Sequence, residues 1–435
     1  MKTYTEMKAC EISWINELPS HWGVRRIKTL PDISLENSFV DGDWIESPYI
    51  TDSGIRYLTT GNIGDGFFKR QGKGFITEDT FGELNCKYAY PGDLVFSRLN
   101  APYGRSCILP DDYPCYVLAV DNVILRTKEN KKYLCYVSQC EGFHDAVADS
   151  AKGTTMKRIS RTNLGVIQVP LPPVDEQNTI ASYLDSRIEK IDAIIAEART
   201  SIDEYKQWKA SIIYEAVTKG LNTNVEMFDS GYGDIGKIPV HWRLGTIKNT
   251  FEIVCGATPT ESQENWGGDI RWVGPADMPM FGTISEGKRT ITNKGYNSCG
   301  TTLIPKGSIV LSTRAPIGKI CIATEELCTN QGCKSLVPKT QVNTKYYAYY
   351  LFSITERMQQ DGTGTTFKEL STSKLKSEPM PIVPIEEQNE ITVFLDNKCA
   401  AIDALVLEKE SLIAELELYK KSLIFEVVTG KRKVV

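Results

Sequence analysis

The sequence predicts an α+β fold with an internal twofold repeat: two mixed α/β domains, each followed by a long helix, with the two helices paired. Three observations carry this reading. The stretch Glu176 to Thr218 contains neither Pro nor Gly, and it places Ile188, Ile191, Ile195, Ala198, Ile202 and Tyr205 at alternating spacings of three and four. Arg187, Glu189, Lys190, Glu197, Arg199 and Glu204 fall on other faces, which leaves a narrow apolar seam suited to one partner helix. Advancing the numbering by 211 gives a second version, Glu387 to Thr429, in which Gln388, Leu395, Asp396, Ile402 and Asp403 answer Gln177, Leu184, Asp185, Ile191 and Asp192 without a gap. Finally, Leu18-Pro19-Ser20-His21-Trp22 opens the first half as Ile238-Pro239-Val240-His241-Trp242 opens the second, so the repeat covers whole halves.

Taken in order, residues 1–169 form the first domain. Short β-rich runs such as Asp93 to Ser97 and Tyr116 to Val120 are broken by Gly, Pro and Asp clusters, and a helical pattern follows near Lys132 to Val147. Residues 170–220 are the central long helix, entered through prolines and carrying Asp175 and Glu176 where acidic groups favour the helix dipole. About 43 residues at 1.5 Å each make it roughly 65 Å long. Residues 221–380 hold a polar linker and the second domain, and residues 381–435 the distal long helix. The expected seam sets Leu184, Ile188, Ile191, Ile195 and Ile202 with Leu395, Ile402, Val406, Ile413 and Leu416. The frames of the two domains keep register at Gly92 to Ser97 and Gly307 to Ser312. Between the repeated strings, the second domain's Cys255 to Thr260, Trp266 to Trp272 and Asp277-Met278 align with nothing in the first.

At 435 residues, 41% apolar and 24% charged, the chain reads as an ordinary globular protein. No apolar run reaches the length of a membrane span and no signal-peptide core follows the first residues, which points to the cytoplasm. Twelve Cys without CxxC pairs, and three His in all, suit neither a disulfide framework nor a zinc site. A net charge of −5 argues against a nucleic-acid binder acting alone, so a DNA site would be a local patch or be completed by a partner. Two near matches to a phosphate loop, at Gly231 and Gly282, lack the Ser or Thr that would hold Mg²⁺. No catalytic constellation is found, and His21 and His241 are expected to fix the domain entries.

The remaining candidates are basic and amide side chains in the repeated loops. Arg98, Asn100 and Arg105 stand in the first domain; Arg314, Lys319, Asn330, Gln331 and Lys334 stand in the second. Lys157 and Lys368 end matching Gly-Thr-Thr-x-Lys turns. Arg and Lys hold phosphates, while Arg, Asn and Gln also pair with base edges. Singly, such residues more often decorate a loop, but Arg105 and Lys319 end the same Ala-Pro-x-Gly turn.

Together these features resemble the specificity subunit of Type I restriction-modification systems, over nearly the whole chain. The resemblance rests on the two His-Trp phrases, on Asp277-Met278, on Asn330-Gln331-Gly332-Cys333-Lys334-Ser335-Leu336, and on the two Pro-rich entries into Glu-Gln-Asn helices. Cys333 departs from it, since the family more often has a bulky apolar or aromatic residue there. The resemblance implies two target recognition domains, each reading half of a split DNA sequence, and two helices packed as an antiparallel coiled coil that acts as a ruler. It also implies a non-catalytic chain without cofactors of its own. The expected partners are double-stranded DNA, two adenine methyltransferase (modification) subunits bringing S-adenosylmethionine, and restriction subunits bringing ATP and Mg. The same residues also fit a subunit of a methylation-only or phage-exclusion complex, or a scaffold that binds no DNA.

Overall fold

The computed structural model describes residues 3–151, 157–233, 235–314, 316–362 and 369–434. Both long helices are uninterrupted, Val174–Lys219 and Ile385–Val428. Each is entered from a proline whose carbonyl accepts the amide of the first-turn glutamine, Pro173 from Gln177 and Pro384 from Gln388, both at 3.0 Å. Each stops at a glycine in the left-handed region, Gly220 at φ 74° and Gly430 at φ 71°, where a side chain would be strained. The chain forms two compact units, 1–198 with 411–435, and 199–410. Both divisions fall inside the long helices, whereas the expected segments end where the helices do. Each unit therefore holds the first part of its own helix and the last part of the other's.

In the first unit a four-stranded antiparallel sheet runs in the order Phe39–Asp41, Asn122–Leu125, Leu94–Ser97, Ser106–Ile108. Strand alternation divides its side chains. Leu94, Phe96, Val123 and Leu125 pack on Tyr133 and Val137 of the helix Lys131–Ser138, on Ile180, Leu184 and Ile188, and on Leu423, Ile424 and Val427. Val95 and Ile124 turn the other way, onto Leu58, Tyr116 and Leu118 of a smaller sheet ordered Phe75–Ile76, Ile55–Leu58, Tyr116–Leu118. The strands Gly23–Arg26 and Gln168–Leu171 pair where the domain meets its helix.

The second unit repeats this plan. Its sheet runs Phe251–Cys255, Cys333–Pro338, Ile309–Ser312, Ile320–Ala323, with Phe281–Ile284 added as a fifth strand parallel to the fourth. Ile309, Leu311 and Leu336 pack on Tyr346 and Tyr350, on Leu395 and Cys399, and on Ile213, Ala216 and Val217. The stretches that align with nothing in sequence still keep a common topology. Arg289–Ile291, Trp266–Val273 and Cys328–Thr329 form a three-stranded sheet with one parallel pair, as the smaller sheet of the first unit does. The pairing scheme is kept there without residue identity being kept.

The fastenings repeat as well. His21 Nε2 lies 2.8 Å from Glu176 and His241 Nε2 2.8 Å from Glu387, so both histidines tie an opening phrase to a helix start. The amides of Asn130 and Asn343 donate to Gln177 and Gln388 at 2.9 and 2.8 Å. The Tyr133 hydroxyl donates to the carbonyl of Val428 at 3.3 Å, and that of Tyr346 to Val217 at 2.8 Å, so each domain holds the last turn of the other half's helix. Within each unit the two helix segments run antiparallel. Of the seam residues, Leu184, Ile188, Ile191, Ile195, Ile202, Leu395 and Ile402 are buried, and Val406, Ile413 and Leu416 are half-buried.

Candidate nucleic-acid interface

The basic candidates of the repeated loops separate into interior and surface groups. Arg98 is 5% exposed: it donates to the carbonyls of Ile159 and Val120 and pairs with Asp41 at 3.0 Å. Burial draws its pKa below the ordinary arginine value, against the pull of Asp41 and Asp121. Lys334 is 4% exposed and donates to the Leu370 carbonyl at 2.7 Å and to Thr313 Oγ1 at 3.1 Å. Strand register places Arg98 over Thr313 and Val123 over Lys334. The cation thus comes from adjacent strands in the two halves, yet it binds the same carbonyl, Ile159 or Leu370. Both residues fasten the segment that follows the Gly-Thr-Thr-x-Lys string of the sequence, and neither presents its charge to solvent.

Arg105 is half-buried beside Ser97 and Ala101, with Nε lacking a hydrogen-bond partner, and burial lowers its pKa. Lys319, expected to reach a phosphate, turns inward and donates to the carbonyls of Pro275 and Met278 at 2.8 and 3.0 Å. Asn330 accepts from the Gly332 amide at 2.9 Å, and Gln331 is exposed, accepting from Thr258. Arg314 is exposed and donates to Glu369 at 2.9 Å. Burial raises the Glu369 pKa, but Arg314 and Lys334 outweigh it and hold the carboxyl below its ordinary value. Asn100 is exposed at φ 64°, the left-handed region that asparagine tolerates, and Lys157 is exposed. Residues 153–156 and Lys368 lie outside the described residues.

Two arrangements were not legible in the sequence. In the first domain, buried Arg56 and Asn62 gather the carbonyls of the loop Lys69 to Gly74. In the second, the Asp277 carboxylate accepts the amides of Gly274 and Lys288 at 2.8 and 3.1 Å, and with Lys319 it fixes the segment from Gly274 to Lys288. Both segments lie between the central and edge strands of the smaller sheets, where the halves diverge. Of these residues only Arg56 lies on a strand, where alternation with Leu58 turns it inward; Asn62 and Asp277 lie in turns, where alternation gives no signal. Among the described residues no group of His, Cys, Asp or Glu could hold a metal ion, and no helix is long and apolar enough to cross a membrane.

The chain belongs to the family described as Type I restriction modification DNA specificity domain, which matches residues 19–203 and again residues 239–418. The Type I restriction enzyme MjaIX specificity subunit of Methanocaldococcus jannaschii is 40% identical over 198 residues, 43% of this chain and 45% of that protein. The putative type I restriction enzyme MjaX specificity subunit of the same organism is 27% identical over 435 residues, 97% of this chain and 96% of that one. The fold is similar to a chain solved for the structural basis of complex assembly and conformational transition of the type I R-M system. That likeness has a TM-score of 0.75 at 16% identity, covering 95% of this chain and 99% of the other.

Proposed function

We propose that this chain is the DNA-reading, non-catalytic subunit of a Type I restriction-modification complex. The observation that carries the proposal is the double match to the specificity family, each match covering one copy of the structural repeat. A shared frame with divergent segments between the repeated strings suits two domains that read different half-sites, so the target is split and asymmetric. Two modification subunits supply S-adenosylmethionine and methylate adenine on the two strands, and restriction subunits supply ATP- and Mg-dependent cleavage. The acidic net charge fits a duplex enclosed jointly with these partners, in the cytoplasm.

The test is a genome-wide map of methyladenine with and without the gene, in a strain carrying its modification subunit. Loss of one split motif is the expected result, and an unchanged map would overturn the reading. Replacing residues 250–365 with the equivalent segment of a relative should then change one half of the motif only.

A further inference from the structure

The first domain carries a cationic loop, Lys69-Arg70-Gln71-Gly72-Lys73-Gly74, between the strands Ile55–Leu58 and Phe75–Ile76. It is held from beneath along its whole length. Arg56, 7% exposed, donates through Nη1 to the Gly74 carbonyl and through Nη2 to those of Gln71 and Gly72 at 3.0 and 2.9 Å. Asn62, also buried, donates to the carbonyls of Lys69 and Gln71 at 3.1 and 2.8 Å, and its own carbonyl accepts the Lys69 amide at 2.8 Å. Gly72, at φ 70°, makes the reversal at the tip. With four carbonyls turned inward onto a buried cation and an amide, the negative ends of the peptide dipoles face the interior. The outer surface exposes Arg70 and Lys73 and, in part, Lys69, whose ammonium lies 5.8 Å from the Phe67 ring.

A loop fixed before binding loses little conformational entropy when it binds. Its chemistry suits phosphates better than base edges. Lysines bind phosphate as point charges, and the one amide on the loop is already used, Gln71 Nε2 donating to the Gly61 carbonyl at 2.6 Å. Arg70 is paired with Asp112 at 2.9 and 3.1 Å, an exposed pair of the kind that contributes little and that a phosphate can replace. The corresponding segment of the second domain exposes Met280 and carries one exposed lysine, Lys288, at its end rather than a cluster of cations.

We infer that Lys69, Arg70 and Lys73 grip the phosphate backbone at the first half-site, and that Arg56 is the positioning residue that fixes their spacing. The inference rests on the DNA-recognition reading above. Its test is the salt dependence of target-duplex binding by the assembled complex. For K69A/R70A/K73A the slope of log K against log salt should fall by about 2.7, at roughly 0.9 per phosphate contact, with the methylated motif unchanged. R25A/R26A/K28A removes three exposed cations elsewhere in the same domain and supplies the comparison.

An unchanged slope, or an equal fall in both triple variants, would overturn the inference. New letters in the first half of the motif would do so in favour of base readout, and loss of assembly with the partner subunits in favour of a protein interface. Arg56→Lys keeps the charge but cannot span the loop carbonyls. It should speed tryptic cleavage at Lys69, Arg70 and Lys73 and weaken binding several-fold; protection and affinity like wild type would overturn the positioning role. A wild-type complex with no specific, salt-dependent duplex binding would overturn the DNA-recognition reading itself and this inference with it.

Discussion

Lys420 donates to both carboxylate oxygens of Asp192, at 2.7 and 2.8 Å. The advance of 211 residues that carries Asp192 onto Asp403 also carries Lys209 onto Lys420, and Lys209 donates to both oxygens of Asp403 at 2.7 Å. The same contact is therefore made once in each unit with donor and acceptor exchanged between the halves, and it fixes antiparallel sense and register together. Each pair is partly exposed, and such pairs contribute about 0.2–1 kcal/mol. Asp192→Ala should lower the first unit's stability in urea by less than about 1 kcal/mol and leave the second unit's transition in place.

Removing residues 411–435 should act differently. Leu423, Ile424, Val427 and Val428 are buried against Ile180, Leu184 and the first sheet. Each full burial of such a side chain is worth about 1.5–3 kcal/mol, and their sum is comparable with the whole stability of a domain, about 5–15 kcal/mol. Amide exchange should show the first unit unfolded while 199–410 stays protected. Leu423→Ala alone should cost about 2–5 kcal/mol.

His144 links the Ala-Pro turn to its surroundings, with Nδ1 2.9 Å from the Tyr103 carbonyl and Nε2 3.2 Å from Asp65. Burial opposes its charged form, but the Asp65 hydrogen bond and charge, aided by Tyr103, outweigh burial and raise the pKa above 6.5. Because the folded value is the higher one, this contribution is complete below the unfolded pKa and is lost as pH rises through the folded pKa. Amide exchange at Gly104 and Arg105 should therefore show a tighter turn at about pH 6 than at about pH 8 after correction for intrinsic rates. His144→Gln should remove the difference.

Lys319 is a phosphate candidate on sequence grounds; because its ammonium donates to the carbonyls of Pro275 and Met278, we propose a role in the loop scaffold instead. Lys319→Ala should relax or alter the second half of the methylated motif and leave the salt slope of binding unchanged. A uniform loss of affinity with a flatter slope would return Lys319 to the phosphates.

Four residues inserted after Ala198 and four after Glu410 would fall at the divisions between the compact units, and would leave both Lys-Asp pairs untouched. Four residues nearly preserve the seam and add roughly 6 Å of helix. At about 3.4 Å per base pair, methylation mapping should find both half-sites unchanged and the gap one to two base pairs longer. An intact motif with its original gap would rule out the helices as a ruler.

The long helices were legible because helix period and the absence of Pro and Gly act within a short span of chain, and the repeat shows the same pattern twice. The fates of Arg98 and Lys334 were not. Whether a basic residue at a strand end faces solvent depends on a carbonyl far away in sequence, at Ile159 or Leu370. The shared topology of the smaller sheets was hidden for a related reason, although Tyr116–Leu118 reads as a strand on its own: Ile55–Leu58 and Trp266–Val273 share a place in the topology without sharing residues. The added strand Phe281–Ile284 has no counterpart in the first sheet to reveal it.

The relocated cation also limits how such genes can be shuffled. A crossover between the coding positions of the third and second strands of the main sheet would join Arg98 to Lys334, two buried charges on one carbonyl, or Thr313 to Val123, with no charge at all. Either hybrid would misplace the segment after the Gly-Thr-Thr-x-Lys string. Viable breakpoints between the halves should therefore lie outside 98–123 and 313–334, a prediction that hybrids crossed inside those intervals would test by their failure to fold.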